Sequence, residues 1–244
     1  MINCSKIPIL ILAGGLATRL RPLSKKTPKS LFLFKGEAFL YYQLRLLKKN
    51  GFKNIIICSG YLHNRIQSFV QSNKIKYLNL KIKLSRDGIK PRGTLGSIIK
   101  ALKLIKTNFF FVINGDSFVT LEFKSILKKF DLIKKRPLMV IFKNSNKLER
   151  SNAMIKKGKI LYNKKLHNNK MKYIDYGVYF FYKKNFQSLK KNKTFLDLSD
   201  FLATLSEKEC LDYMTTKKKY FEIGSWKGIN RFERLINEIH KILS

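Results

Sequence analysis

The chain has 244 residues, 45% of them hydrophobic, which is enough to bury the core of one α/β domain. Its longest apolar run, Ile7 to Ala13, has seven residues, far fewer than the ~18 that a membrane helix needs. The three cysteines are isolated, which favours a reducing cytoplasm. The net charge of +36 comes mainly from 41 lysines spread along the chain, with only ten arginines, so no specific nucleic-acid partner is expected.

Apolar strand-like segments alternate with amphipathic helical segments through most of the chain. Strands are predicted at Ile7–Ala13, Asn54–Ser59, Tyr77–Leu84, Phe109–Ile113, Leu138–Phe142 and Asp175–Phe181. Helices are predicted at Glu37–Asn50, Leu62–Gln71, Gly93–Ile105, Leu121–Lys134 and, at the end of the chain, Lys227–Leu243. This order predicts an α/β fold, a Rossmann-like three-layer α/β/α sandwich with a mainly parallel central sheet.

The pattern changes after Pro137 to short strands separated by turns rich in Lys and Asn. Such strands are typical of a mixed sheet that extends the first, parallel one. No internal repeat and no interdomain linker are visible. We therefore predict one domain over residues 1–244, with one half at about 1–136 and the other at about 137–244.

Two adjacent glycines, Gly14 and Gly15, directly follow the first predicted strand. Glycines at the carboxyl end of a strand let backbone N–H groups approach a base or a phosphate closely. Arg19 and Lys29, a few residues later, would supply positive charge for a triphosphate. The pattern is neither a dinucleotide fingerprint nor a Walker loop. Taken together, these residues favour phosphate binding over an ordinary glycine turn.

Two further segments carry candidate site residues. Gly93 and Thr94 open a predicted helix, where free N–H groups could bind a ligand or simply be capped. Asp116 follows the apolar strand that ends at Ile113, a natural position for a carboxylate ligand of Mg²⁺, although Asn-Gly-Asp is equally a turn sequence. Glu222 is the best candidate for a partner carboxylate, and Asp175 is the other.

These residues together resemble the sugar-1-phosphate nucleotidylyltransferase family, also called nucleotide-sugar pyrophosphorylases. The segment from Leu12 to Gly36 follows the family's N-terminal signature closely. The later motifs occur in the family's order: the Gly-Thr helix start, Gly-Asp after a core strand, Asp-x-Gly and a late Ile-Gly. The segments 149–152, 174–177 and 221–225 are most similar to the short bacterial enzymes near mannose- and heptose-1-phosphate guanylyltransferases.

The resemblance implies roles for individual residues. Nucleotide contacts are expected from Leu12, Ala13, Gly14, Gly15, Thr18, Arg19, Lys29, Gly93 and Thr94. Arg19, Lys29 and Asp116 would be catalytic, and Asp116 with Glu222 would hold Mg²⁺. The sugar phosphate would meet Asn114, Asn152, Asp175, Gly177 and either Lys164 or Lys165. Residues up to about 136 would then form the nucleotide-binding half and the rest the sugar-phosphate-binding half.

Three positions depart from the family's pattern. Ala17 stands where Gly is usual, which restricts the first loop. Glu222 replaces the commoner Asp and is one methylene longer. Asn163 stands at a usual Glu position, which bears on the sugar contact.

The expected reaction joins an NTP and a sugar 1-phosphate into an NDP-sugar and pyrophosphate, with Mg²⁺. The expected substrates are GTP and a manno-configured hexose or heptose 1-phosphate, for lipopolysaccharide, capsule or another surface glycan. The protein is expected to be a cytoplasmic monomer or homodimer with no membrane partner. Two alternatives stay open: a cytidylyltransferase acting on a non-sugar phosphate such as phosphocholine, and a non-catalytic protein that binds nucleotide sugars or nucleic acid.

Overall fold

The computed structural model describes residues 3–88, 90–129, 136–144, 148–166, 168–187, 189 and 195–243. The strands within these ranges are β1 Ile9–Leu12, β2 Leu33–Phe34, β3 Glu37–Ala38, β4 Asn54–Ser59, β5 Lys81–Arg86, β6 Phe109–Asn114, β7 Ser117–Val119, β8 Leu138–Lys143, β9 Ala153–Lys156, β10 Lys159–Tyr162, β11 Tyr173–Tyr182, β12 Asp212–Thr216 and β13 Tyr220–Glu222. The α-helices are α1 Phe39–Lys49, α2 His63–Gln71, α3 Asn73–Lys76, α4 Gly93–Ala101, α5 Phe123–Lys129, α6 Leu198–Glu207, α7 Trp226–Arg234 and α8 Ile236–Leu243.

Nine of the described strands form one mixed sheet. Its main order is β5-β4-β1-β6-β11-β8-β12, with β9 and β10 joined to one end of β11. Strands β5, β4, β1 and β6 run parallel, whereas β11 is antiparallel to both β6 and β8. The parallel first part and the mixed extension are as the sequence predicts.

Helices cover both faces of this sheet. Ile9 and Ile11 of β1 point into a core shared with α1, α2 and α5, whereas Leu10 and Leu12 point into a core shared with α4 and α6. A strand that is apolar on both faces belongs in the middle layer of a sandwich. The predicted three-layer α/β/α fold is confirmed. No helix in the described ranges is long and apolar enough to cross a membrane.

A third core holds the C-terminal helices against the other side of α1. Phe232 of α7 packs edge-on against Phe34, Phe39 and Tyr42, with ring centroids 4.8, 5.0 and 6.0 Å apart. Such edge-to-face pairs add to the stabilisation from burial. This packing fixes the position of the segment just before α7, and Glu222 lies in that segment.

Several predicted boundaries are wrong. The strand predicted from Tyr77 begins only at Lys81, because Asn79 turns the chain with a φ of +52° and Tyr77 is 84% exposed. The predicted C-terminal helix is two helices, α7 and α8, separated at Leu235. The helix predicted at 121–134 begins at Phe123, and its predicted residues 130–134 lie outside the described residues. Helix α6 and strand β12 were not predicted.

Candidate active site

The candidate site lies where the parallel strands β1, β4 and β6 end. The N–H of Ala13 donates to Cys58 O at 2.8 Å, and the N–H of Gly115 donates to Leu12 O at 3.1 Å. A Cβ built on Gly115 would lie 3.0 Å from Cα of Ala13, so only glycine lets the end of β6 touch the end of β1. The two predicted motifs, at residues 12–15 and 114–116, are therefore neighbours.

The glycine loop after β1 is open on one side. A Cβ on Gly14 would lie 3.0 Å from the backbone N of Gly60 and 3.1 Å from Oδ2 of Asp87. A Cβ on Gly15 would meet no atom within 4 Å, so the loop presents backbone to solvent there. Ala17 adopts the left-handed conformation, with a φ of +48°, and Ser24 Oγ donates to its carbonyl at 2.8 Å. An alanine is therefore accommodated where the family's pattern has glycine.

Lys29, 14 residues after Gly15, forms an ion pair with Asp116 at the end of β6. Their side chains are 21% and 25% exposed. Burial opposes ionisation of Asp116, but the Lys29 ammonium and its hydrogen bond hold the pKa of this carboxyl below its usual value. Two of the predicted catalytic residues are thus in contact, whereas Arg19 and Thr18 are exposed on the loop.

Glu222 lies beside Asp116 because β13 pairs antiparallel with β7, which places Glu222 opposite Ser117. The N–H of Ile223 also donates to Asp116 O at 2.9 Å. A Cβ on Gly224 would lie 2.9 Å from Oε2 of Glu222 and 3.1 Å from Oδ2 of Asp116. Both carboxylates therefore converge on the space above Gly224.

The two carboxylates fit a hard divalent cation. Burial raises the pKa of Glu222, and the nearby charges of Glu149 and Asp116 act in the same direction. Ser225 Oγ and the N–H of Gly224 each donate one hydrogen bond to Glu222. A bound cation would relieve the repulsion between the two carboxylates. The described residues contain no cluster of three or more His, Cys, Asp or Glu side chains for a metal, so further ligands would come from substrate or water.

A second group of predicted residues gathers where β11 passes the end of β6. The N–H of Asp175 donates to Asn152 Oδ1 at 2.9 Å, and Asp175 Oδ1 accepts from the N–H of Gly177 at 2.8 Å. Gly177 has a φ of +77°, and a Cβ there would lie 2.9 Å from Nδ2 of Asn114 and 2.8 Å from Oγ of Ser117. The structure therefore brings Asn114, Asn152, Asp175 and Gly177 together.

The side chains of Lys164 and Lys165 have different charged neighbours. The positive charge of Lys164 is near enough to favour ionisation of both Asp116 and Asp175. Lys165 instead pairs with the exposed Asp200, with 2.6 Å between Nζ and Oδ1. Asn163 fixes this turn, because its Oδ1 accepts from the N–H of Lys165 and of Leu166, each at 2.9 Å.

The start of α4 is capped, which is one of the two alternatives that the sequence leaves open. The N–H groups of Leu95 and Gly96 donate to Leu196 O at 3.0 and 3.3 Å, and Gly93, with a φ of +75°, packs directly against this carbonyl. Thr94 Oγ1 accepts from the N–H of Leu198 at 2.8 Å. These groups join α4 to α6, and the contact of Gly93 and Thr94 with a nucleotide stays a prediction.

Asp87 was not singled out from the sequence, although it is one of only 15 acidic residues. It follows β5, is 5% exposed, and accepts a 2.7 Å hydrogen bond from Ser97 Oγ on Oδ2. Its Oδ1 has no hydrogen-bond partner among the described residues. Burial raises the pKa of Asp87. An incompletely paired carboxylate against Gly14 is costly to fold and is therefore typical of a functional position.

A glycine loop after the first parallel strand, with a lysine and two carboxylates at the same sheet edge, defines an α/β enzyme site for nucleotide phosphates. The chain belongs to the nucleotidyl transferase family, which it matches over residues 9–240. The family predicted from the sequence is confirmed. Enzymes of this family generally use a divalent metal.

Two related bacterial proteins have the same enzyme name. The D-glycero-α-D-manno-heptose 1-phosphate guanylyltransferase of Campylobacter jejuni is 35% identical over 117 residues, 48% of this chain and 51% of that protein. The enzyme of the same name from Aneurinibacillus thermoaerophilus is 27% identical over 214 residues, 87% of this chain and 86% of that protein. The match to the Campylobacter protein therefore spans only about half of its length.

The fold is shared with solved structures. HddC from Yersinia pseudotuberculosis, crystallised with GMP-PN, superposes with a TM-score of 0.78 over 94% of this chain and 99% of that one, at 24% identity. At this identity the likeness establishes the fold, and the residue roles must be argued from the site itself.

Proposed function

We propose that the protein transfers a nucleotidyl group from an NTP to a sugar 1-phosphate, forming an NDP-sugar and pyrophosphate. The observation that carries this proposal is the convergence of the Asp116 and Glu222 carboxylates at Gly224, with Lys29 paired to Asp116 beside the glycine loop. Phosphoryl-transfer chemistry needs charge neutralisation and alignment more than acid-base groups, and this set of residues supplies both.

In the proposed reaction, an oxygen of the sugar 1-phosphate attacks the α-phosphorus of the NTP in line with the leaving group. The new P–O bond forms as the bond from the α-phosphorus to the α–β bridging oxygen breaks, and its electron pair leaves with pyrophosphate. The attacking oxygen is already anionic, so no general base is required. Arg19 and Lys29 would neutralise the triphosphate, and the backbone at residues 12–15 and Thr18 would contact the nucleotide.

The metal completes this neutralisation. When bound to oxygens of Asp116 and Glu222, a divalent ion, which we propose is Mg²⁺, supplies positive charge at the reacting phosphates. Lys29 is already in contact with Asp116, so its proposed contact with a phosphate would lie close to the proposed metal ligand.

The acceptor would bind at the end of β11. Asp175, Asn114 and Asn152 present hydrogen-bonding groups suited to sugar hydroxyls, and Gly177 gives close access to the backbone. We assign the contact with the acceptor phosphate to Lys164, since its charge acts on the two site carboxylates Asp116 and Asp175.

GTP and a manno-configured hexose or heptose 1-phosphate are the proposed substrates. The relatives from Campylobacter and Aneurinibacillus are named for a guanylyl transfer to a manno-heptose 1-phosphate, which supports this choice. We further propose a cytoplasmic monomer or homodimer whose product enters surface-glycan synthesis, in lipopolysaccharide or capsule.

Pyrophosphate release across a grid of NTPs and acceptors tests the proposal. ATP, GTP, CTP, UTP and dTTP are combined with mannose, glucose and heptose 1-phosphates and with phosphocholine, each with Mg²⁺ and with EDTA. We expect a metal-dependent signal with GTP and a manno-configured acceptor that is lost in Asp116→Ala. A CTP and phosphocholine signal would establish the cytidylyltransferase alternative. No release from folded protein that also fails to bind any NTP would overturn the enzymatic proposal.

A further inference from the structure

Tyr179 places a hydroxyl between two candidate acceptor-binding side chains. Its OH donates to Asp175 Oδ2 at 2.5 Å, and the Asn114 side chain is near enough to the same hydroxyl to oppose the rise in the pKa of Tyr179 that burial causes. Tyr179 is 2% exposed, and its ring lies in the core between the sheet and α6. From the sequence it is simply one aromatic residue of an apolar strand. In the structure, its single polar atom connects β11 with the end of β6.

A second buried phenol acts on the same carboxylate. Burial and the nearby charge of the Asp175 carboxylate raise the pKa of Tyr162, which is 1% exposed at the end of β10. The N–H of Gly177 completes the set of donors on Asp175. Two donors of β11 therefore restrain both oxygens of this carboxylate, with the Tyr162 phenol of β10 close by.

The local strand geometry explains why such support is needed. The pairing of β11 with β8 shifts between Asp175 and Tyr179, and Gly177 within this irregularity has a φ of +77°. A bulge re-aims side chains relative to the regular alternation of a strand. Here it brings the side chains of Asp175 and Tyr179 into contact, so the hydroxyl restrains the segment where regular pairing does not.

We propose that Tyr179, supported by Tyr162, is a positioning residue for the acceptor subsite: it holds the Asp175 carboxylate and the Asn114 amide in the geometry that receives the sugar. This inference rests on the proposed function and extends it to residues that touch no substrate. A preorganised pair of polar groups lowers the cost of ordering them when the sugar binds.

The Tyr179 hydroxyl should affect binding of the acceptor and not binding of the nucleotide. Tyr179 contacts residues of the acceptor group, and none of its described polar contacts reaches the glycine loop at residues 13–15. Loss of its hydroxyl should therefore raise the KM for the sugar 1-phosphate and leave the KM for the NTP unchanged. A role in the core alone would lower stability without this split.

The matched control is Tyr176, a phenol of the same strand that is 1% exposed but faces the opposite core. Its hydroxyl donates to Lys219 O at 2.8 Å and lies 3.3 Å from the Thr120 hydroxyl, away from the acceptor group. Tyr176→Phe removes a hydroxyl of equal burial from the same element. It thus measures the purely structural effect of such a loss.

The experiment measures steady-state pyrophosphate release for Tyr179→Phe, Tyr162→Phe and Tyr176→Phe, with the NTP and acceptor that the wild type uses best. We expect Tyr179→Phe to raise the acceptor KM roughly tenfold or more, the factor for one lost hydrogen bond to a charged group. The KM for the NTP should change by less than about twofold, which is clearly smaller than the change expected in the KM for the acceptor. Tyr176→Phe should leave both constants unchanged.

Equal changes of both KM values in Tyr179→Phe, or no change in either, would overturn the inference. If Tyr179→Phe does not fold, Tyr162→Phe carries the same test, with a smaller rise in the acceptor KM expected. A wild-type protein that transfers to no acceptor contradicts the proposed function instead. The two failures are therefore distinguished by the wild-type measurement.

Discussion

Replacing Gly228 by alanine changes the packing of Glu222 against the first turn of α7. Gly228 donates its N–H to Ser225 Oγ at 3.0 Å, and Ser225 Oγ donates to Glu222 Oε1 at 2.7 Å. A Cβ on Gly228 would lie 2.6 Å from Cδ of Glu222 and would overlap both its Oε1 and its carbonyl oxygen. The added methyl group therefore occupies space that the candidate metal ligand fills.

Helix propensity and steric overlap predict opposite effects of this substitution. Alanine in place of glycine in a helix would normally gain up to about 1 kcal/mol of stability. Overpacking costs about 1–3 kcal/mol, and the carbonyl oxygen of Glu222 cannot move away by rotating a side chain. We therefore expect Gly228→Ala to lose roughly 1–2 kcal/mol of folding free energy, or about 2–8 °C in melting temperature for a domain of this size.

Displacement of Glu222 should also affect catalysis. A shift of about 1 Å in a catalytic group can cost roughly 100-fold in rate, so we expect the Mg²⁺-dependent rate to fall about 10- to 100-fold. Thermal melts and pyrophosphate release measure the two effects. In a Glu222→Ala background, the added methyl group should destabilise less, because only the carbonyl overlap remains. An alanine variant as stable and as active as the wild type would refute the described packing.

Three further predictions concern other residues. Lys164→Ala should raise the acceptor KM roughly tenfold or more, while Lys165→Ala, which breaks only a surface pair, should change it by less than about twofold in the same assay. Burial raises the folded-state pKa of Asp87, so the contribution of this residue to stability falls as pH rises from its unfolded-state pKa through its folded-state pKa. Asp87→Asn should therefore melt higher than wild type, and the difference should grow from acid to neutral pH; equal melting temperatures of the two proteins at all pH values would contradict this. Gly93→Ala, at a φ of +75° against the Leu196 carbonyl, should cost about 1–3 kcal/mol in denaturant unfolding, and an unchanged midpoint would exclude that contact.

The central part of the fold is predictable because it depends on local pattern. The strands β1, β4 and β6 are continuous apolar runs, and the glycines after β1 mark the sheet edge at which ligands bind. Asp116 is predictable for the same reason, since it follows such a strand. The short strand β13 carries a weaker signal. Glu222 is predicted there as the partner carboxylate, but the pairing of β13 with β7 that brings it to Asp116 is not predicted.

Other parts of the site depend on contacts between distant segments. The different surroundings of Lys164 and Lys165, on which the proposed choice between them rests, depend on a turn that Asn163 holds, which no pattern in the sequence reveals. Tyr179 lies within an apolar strand, so the sequence predicts only a core residue. The irregular pairing around Gly177 is what brings its hydroxyl to Asp175. The sequence leaves open whether the first N–H groups of α4 are free or capped, because the residue that caps them, Leu196, lies about a hundred residues later.

The junction of α4 and α6 links the two halves of the chain mechanically. The carbonyl of Leu196 accepts hydrogen bonds from the first turn of α4, and the N–H of Leu196 donates to Arg92 O at 2.9 Å. Thr94 Oγ1 accepts from the N–H of Leu198. A hinge motion between the proposed nucleotide-binding and acceptor-binding halves at this junction would have to break all of these bonds together. Under the proposed function, we therefore expect the distance between the two halves to stay constant during turnover, and substrate capture to depend on movement of loops.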